Sequence, residues 1–257
     1  MLGAILGDII GSRFEFSNLR KGKSEEFDLF TKECYFTDDT VMTIATADAI
    51  LNNKDFTKTY QEWGRKYPDR GYGEMFYSWL FENNPKPYNS FGNGSAMRVS
   101  PVGWLYNDLK IVFNKAEETA EVTHNHIEGL KGASATAGCI YLAKMGTRKK
   151  IIKEFIETYF NYDLNRIIKE IKPNYRFDVT CQGSVPESII CFLEGNSYED
   201  VVRKAISLGG DTDTMGCIAG SIAEAYYGIP KDIKDFINNY LPEDMLKIIE
   251  QFNKNVS

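Results

Sequence analysis

Two short acidic segments carry most of the chemistry this chain could do. Thr37-Asp38-Asp39-Thr40 runs straight into a small-residue apolar stretch, 41–51, and Gly209-Gly210-Asp211-Thr212-Asp213-Thr214 opens another, 215–227. Taken singly, each is an ordinary helix start: Thr37 or Asp38 suits a cap, and acids in a first turn complement the helix dipole. Taken together they become a different object. Asp38, Asp39, Asp211 and Asp213, with hydroxyls from Thr37 and Thr214, would form a hard, oxygen-only donor set suited to Mg²⁺ or Mn²⁺. Without a cation, carboxylates converging on one point would repel one another and resist ionisation. The helix dipole opposes a cation at these ends, but its half-charge is small beside that many unit charges. The reading requires two segments far apart in the chain to meet in space.

Two further loops are rich in glycine and polar residues. Phe91-Gly92-Asn93-Gly94-Ser95-Ala96-Met97-Arg98 could cradle a phosphate, because glycines let backbone amides approach closely and a helix expected to begin near Ser95 offers its positive end. Alone, such a loop is no more than a tight turn. Pro68-Asp69-Arg70-Gly71-Tyr72-Gly73 is the second; loops held by a rigid scaffold commonly carry function. His124 and His126 are the only histidines. An isolated histidine is more often a hydrogen-bonded structural residue than a catalyst. At i, i+2 on a helix the pair would not face one direction, so a histidine-bound zinc is not expected. Arg98 receives no role from the sequence.

The elements that must position these residues read as helices. Tyr198, Val201, Val202, Ala205 and Ile206 recur at the spacing of one buried helix face, behind Ser197 as cap with Asp200 three residues on. Similar stripes run through Ile152, Phe155, Ile156 and Tyr159, through Ile233, Phe236, Ile237 and Tyr240, and through Met245, Ile248, Ile249 and Phe252. Pro230 and Pro242 punctuate the last two. Only 176–180 reads as extended, and neither a repeat nor a Gly/Ser linker divides the chain. The expectation is an all-α, compact, single-domain bundle over residues 1–257.

Composition narrows the class. A net charge of −6 argues against a nucleic-acid binder, which needs clustered Lys and Arg, but not against an anionic small molecule held through cations. The five cysteines are scattered, odd in number and form no Cys-x-x-Cys pair, as for reduced structural thiols in a cytoplasmic protein. No basic leader precedes the opening segment, where Asp8 interrupts the apolar run, and no stretch approaches the ~20 apolar residues of a membrane span.

In order along the chain, five segments resemble one family. They are Gly3-Ala4-Ile5-Leu6-Gly7-Asp8-Ile9-Ile10-Gly11-Ser12 with Phe14-Glu15-Phe16, then Thr37-Asp38-Asp39-Thr40, Gly92-Asn93-Gly94-Ser95-Ala96-Met97-Arg98, Thr123-His124, and Gly210-Asp211-Thr212-Asp213-Thr214. Together they resemble the ADP-ribosylglycohydrolases, relatives of dinitrogenase-reductase-activating glycohydrolase. The resemblance implies the family's orthogonal helix bundle and two divalent cations, Mg²⁺ or Mn²⁺, ligated by Thr37, Asp38, Asp39, Asp211, Asp213 and Thr214. It implies hydrolysis of the bond between ADP-ribose and a modified protein or small-molecule acceptor. Such glycoside chemistry calls for carboxylates near the anomeric carbon. Asp38 or Asp39 would serve as base, and Glu15 as proton donor, acceptor or gate. ADP-ribose would lie along Gly71, Gly92, Asn93, Gly94, Ser95, Met97 and His124, with Tyr72, Phe91 and Val185 as candidates around adenine. Two alternatives keep the same residues: a hydrolase of a small ADP-ribosyl or nucleotide compound, and a non-catalytic, crystallin-like relative. The protein is expected to act as a monomer away from membranes and nucleic acid.

Overall fold

A computed structural model describes residues 1–15 and 24–256; Phe16, part of the opening motif, lies outside them. Among the described residues there is no strand, only an isolated antiparallel bridge between Gly92 and Thr180. The longer helices, in chain order, are α1 (Leu2–Gly11), α2 (Asp38–Leu51), α3 (Phe56–Lys66), α4 (Leu109–Glu121), α5 (Ile127–Lys144), α6 (Lys149–Phe160), α7 (Cys181–Glu194), α8 (Tyr198–Ser207), α9 (Thr212–Tyr227) and α10 (Glu243–Val256). Shorter helices at Glu74–Leu80, Gly94–Met97 and Ser100–Leu105 fill the corners between them.

The centre of the bundle is a seam between α1 and α9. Every residue of α1 is buried, as is α9 from Thr212 through Ala223. Glycines at intervals of four let the two backbones touch. A Cβ on Gly7 would lie 2.1 Å from the Gly216 carbonyl oxygen, one on Gly3 2.4 Å from that of Gly220, and one on Gly11 2.4 Å from that of Thr212. No side chain fits there, because the obstructing atoms are backbone. The seam therefore fixes the height of Asp8 on α1 against Asp211, Asp213 and Thr214 on α9.

The other helices follow their sequence patterns with instructive exceptions. In α8 the whole expected face is buried, and Ser197 caps the helix by accepting from the Asp200 amide at 3.1 Å. In α6, Ile152 and Ile156 are buried whereas Tyr159 is exposed, its ring stacking on Phe155 at 4.3 Å. The stripe at 233–240 breaks into a four-residue helix and a 3-10 turn, with Ile233 and Ile237 buried and Phe236 exposed. Residues 176–179 are irregular and lead to Thr180, whose backbone is extended and forms the bridge to Gly92. All five cysteines are free and buried. No helix among the described residues is long and apolar enough to cross a membrane.

Candidate active site

Both acidic helix starts begin earlier than the apolar pattern suggested. α2 starts at Asp38 and α9 at Thr212, so Asp38, Asp39 and Asp213 stand in first turns rather than ahead of them. Thr37 is the cap of α2, its hydroxyl oxygen accepting from the Asp39 amide at 3.2 Å. That same hydroxyl donates to Asp8 Oδ1 at 2.8 Å. Asp8 also accepts from the Thr37 amide at 3.0 Å, the Thr40 amide at 3.1 Å and the Thr40 hydroxyl at 2.5 Å. One fully buried carboxylate thus ties α1 to the start of α2. The sequence reading gave Asp8 no role, although a lone acid on an otherwise apolar helix was the available signal: it must find donors or remain neutral.

The second start is shaped by Gly209 and Gly210, both with positive φ (74° and 79°), which turn the chain sharply into α9. The Thr212 hydroxyl anchors the turn on the Gly11 carbonyl at 3.0 Å. Asp211 Oδ2 accepts from Asn93 Nδ2 at 2.7 Å, and Asn93 also donates to the Ser184 hydroxyl at 3.0 Å. The Thr214 hydroxyl donates to Asp39 Oδ2 at 3.1 Å, joining the two acidic segments directly. They do meet in space. Glu15 joins them: one carboxylate oxygen each from Glu15, Asp211 and Asp213 lie within 4.8 Å of one another.

Burial raises every acid of this group, and repulsion from its neighbours adds to it in all but Asp213. Asp8 is pushed up to about 7, first by burial and then by Asp213. Glu15 rises to about 8, from burial and then the charges of Asp213 and Asp8. Asp38, Asp39 and Asp211 are raised well above the ordinary aspartate range, with burial first and Asp213 second in each. No Lys or Arg among the described residues pairs with any of the six, and Asp39 Oδ1 is buried with no hydrogen-bond partner. An orphaned carboxylate oxygen, oxygen-only donors and uncompensated negative charge together fit a divalent cation.

The glycine loop is narrower than its sequence suggests. The Gly92 amide donates to the Ser90 hydroxyl at 3.1 Å and the Asn93 amide to the Val179 carbonyl at 2.7 Å, so neither is free for phosphate. Ser95 is fully buried and donates to the Gly129 carbonyl at 2.7 Å; Met97 is buried as well. Both side chains thus turn into the core behind the loop. His124 lies against the loop: a Cβ on Gly94 would come within 3.0 Å of its Nε2. Arg98 turns inward, its guanidinium 4.4 Å from the Tyr60 ring centroid and bonded to the Thr119 carbonyl and Thr123 hydroxyl. His126 caps α5, accepting from the Glu128 amide at 3.1 Å.

The three residues expected around adenine do not form one wall. Val185 is wholly buried and faces Gly132 in the α5–α7 packing, because its position on α7 points into the core. Gly71, at φ 91°, and Tyr72 sit beside Asp38, where the Asp38 amide donates to the Arg70 carbonyl at 2.8 Å. Phe91 is exposed on the other side, its ring 5.2 Å from His126.

A helical bundle with an acid cluster at two converging helix starts and a glycine loop beside it defines the class. The model of the ADP-ribosylglycohydrolase family matches residues 1–256, and the chain belongs to that family. Among its relatives, ADP-ribosylhydrolase ARH3 of Homo sapiens is 28% identical, the match covering 96% of this chain and 90% of that protein. ADP-ribosylarginine hydrolase Tri1 of Pseudomonas putida is 24% identical over 89% of this chain and 70% of its own length. A solved structure described as an ADP-ribosylglycohydrolase-related protein complex superposes with a TM-score of 0.75 at 22% identity, covering 100% of this chain and 97% of that one; it shows the shared fold.

Proposed function

We propose that this protein is a divalent-metal-dependent hydrolase that releases ADP-ribose from a modified protein or small-molecule acceptor. The observation that carries the reading is the acid cluster without a counter-charge: Asp8, Glu15, Asp38, Asp39, Asp211 and Asp213 converge, no Lys or Arg among the described residues pairs with them, and Asp39 Oδ1 is buried without a partner. Family membership and the relatives' names, ADP-ribosylhydrolase and ADP-ribosylarginine hydrolase, supply the substrate class. Thr37, Asp38, Asp39, Asp211, Asp213 and Thr214 would hold a pair of Mg²⁺ or Mn²⁺ ions. When bound, that pair supplies the positive field that orients ribose hydroxyls and acidifies a water.

The remaining work falls to the chain's own groups. Asp38, partly exposed at the rim, is placed to take the proton of the attacking water. Glu15, half-buried beside Asp211 and Asp213, is placed to pass a proton to the leaving acceptor. Asn93 holds Asp211 from the loop side, linking loop position to carboxylate position. Phe91 on one side and Tyr72 on the other bracket the site, which suits a ligand with an aromatic base at one end and ribose at the other. The protein is proposed to fold as one domain and act as a monomer.

The test is a panel of defined substrates, ADP-ribosyl-arginine, ADP-ribosyl-serine and small ADP-ribosyl compounds, each assayed for released ADP-ribose with Mg²⁺ or Mn²⁺ present. Release from at least one, abolished by chelation, is expected. Metal and ADP-ribose binding without release from any would point to the non-catalytic alternative.

A further inference from the structure

Arg98 is a buried cation with no carboxylate partner among the described residues, a costly arrangement that the proposed chemistry does not use. Its Nη2 donates to the Thr119 carbonyl at 2.6 Å and to the Thr123 hydroxyl at 2.9 Å. The Thr123 hydroxyl in turn lies 2.7 Å from Nδ1 of His124. On the ring's other side, Nε2 faces the loop at Gly92 and Gly94, within 3.5 Å and 3.0 Å of the positions their Cβ atoms would take. No described residue bonds Nε2.

Only one arrangement of donors and acceptors along Arg98, Thr123 and His124 leaves the Thr123 hydroxyl fully paired. A guanidinium has no acceptor, so Thr123 Oγ1 must accept from Arg98. Thr123 is fully buried, and its own proton needs an acceptor; His124 Nδ1 is the one at hand. If instead Nδ1 carried a proton and donated, the Thr123 hydroxyl would accept twice and its hydrogen would be buried unpaired, a loss of roughly 1–3 kcal/mol by general experience. Nδ1 is therefore the acceptor, and the ring's proton must sit on Nε2. The nearby guanidinium also disfavours a second proton, and burial and Arg98 hold the ring well below the usual histidine range.

We propose that Arg98 and Thr123 are positioning residues that fix His124 as a neutral ring with its Nε2–H aimed at the Gly92–Gly94 loop, as a permanent donor to an anionic or hydroxyl oxygen of the bound nucleotide. This rests on the functional reading above for the ligand, and on the protein alone for the ring. With the Gly92 and Asn93 amides already engaged, the Nε2–H adds a donor on that side of the loop. A histidine free to exchange tautomers would present a lone pair to the same oxygen for part of the time and repel it. The relay removes that alternative and keeps donation independent of pH through neutrality, where an unperturbed histidine would titrate.

The experiment is a two-bond ¹H–¹⁵N correlation spectrum of ligand-free protein labelled with ¹⁵N-histidine. His126→Asn, which keeps a capping acceptor, leaves one ring to assign. The expected pattern is that of the neutral Nε2–H tautomer at pH 7, unchanged down to about pH 5.5. In Thr123→Val the tautomer preference is expected to collapse and the Kd for ADP-ribose with Mg²⁺ present to rise roughly tenfold. Thr123→Ser restores both, which a purely structural role for the methyl-bearing side chain would not predict. An Nδ1–H tautomer or an imidazolium in the parent protein overturns the proposal, as does a Thr123→Val protein with ring pattern and affinity unchanged. If the ring is as stated but ADP-ribose does not bind, it is the functional reading that fails and the ring assignment that stands.

Discussion

At the starts of α2 and α9, six carboxyl groups gather with no basic partner among the described residues; at the Gly92–His124 side, a buried guanidinium has no acidic partner among them. The first region is held together by acceptors in want of a cation, the second by donors in want of an anion. Both imbalances are buried, where charge is costly, and each is oriented by a neutral relay: Asp8 through Thr37 and Thr40, Arg98 through Thr123. Asn93 spans the gap, with its backbone in the loop and its amide on Asp211. The contrast explains how a single ligand carrying both hydroxyls and phosphates could be held by one small bundle, with a cation at one end and N–H groups at the other. It also separates what must stay rigid, the glycine seam that sets Asp8 against α9, from what must stay uncompensated.

The sharpest way to break the comparison is at the seam. Gly7→Val puts a side chain 2.1 Å or less from backbone of α9 and should destabilise the fold by ~3 kcal/mol or more in urea unfolding, by forcing the helices apart. Gly73→Ala, where an added Cβ meets nothing within 4 Å, is the control and should stay within about 0.5 kcal/mol. Next in size is Asp8→Asn. An amide cannot accept at both ends from two amides and two hydroxyls, so a loss of about 2 kcal/mol is expected, together with the metal response.

Asp213→Asn should act in opposite directions. Turnover and the rise in Tm with Mg²⁺ or Mn²⁺ should vanish, while the metal-free protein should gain about 1 kcal/mol because Asp213 is the charge that most raises its neighbours. A metal-free protein equally stable or weaker would show that the cluster is not repulsive. In the parent protein, saturating metal should stabilise by ~2.7 kcal/mol at a hundred times its Kd, and chelation should reverse it.

The smallest expected effect lies outside the site. Asp48 is buried and accepts from Trp63 Nε1 at 2.8 Å, Asn52 Nδ2 at 2.8 Å and Lys54 Nζ at 2.9 Å, and these bonds outweigh its burial and lower its pKa. A lowered carboxyl contributes stability above its unfolded value of 3.8 and loses it as pH falls through the folded one. The parent should therefore lose stability below about pH 4 by an increment that Asp48→Asn lacks, with a cost at pH 7 of about 1 kcal/mol.

Much of the helical bundle was legible from periodicity, because faces such as Tyr198, Val201, Val202, Ala205 and Ile206 are set by burial alone. The break at 233–240 was not, since a four-residue turn and a 3-10 turn carry the same apolar spacing as one helix. At the site, acids at helix starts and the glycine loop could be picked out by residue type and placed in order by resemblance. What no linear pattern encodes is which faces meet. Asp8 and Arg98 read as a stray acid and an unassigned base, and only packing shows each as the hub of a relay. Val185 failed for the same reason: an apolar residue near a motif looks alike whether it lines a pocket or fills the core.

The most direct measurement is Mn²⁺ binding followed by electron paramagnetic resonance, on the parent protein and on Asp39→Asn and Asp213→Asn, one from each acidic helix start. Saturable binding by the parent, lost or severely weakened in both variants while their helical signal is intact, is the result predicted for one cation site built across α2 and α9. Binding that survives either substitution unchanged, or no binding by the parent at all, would contradict it.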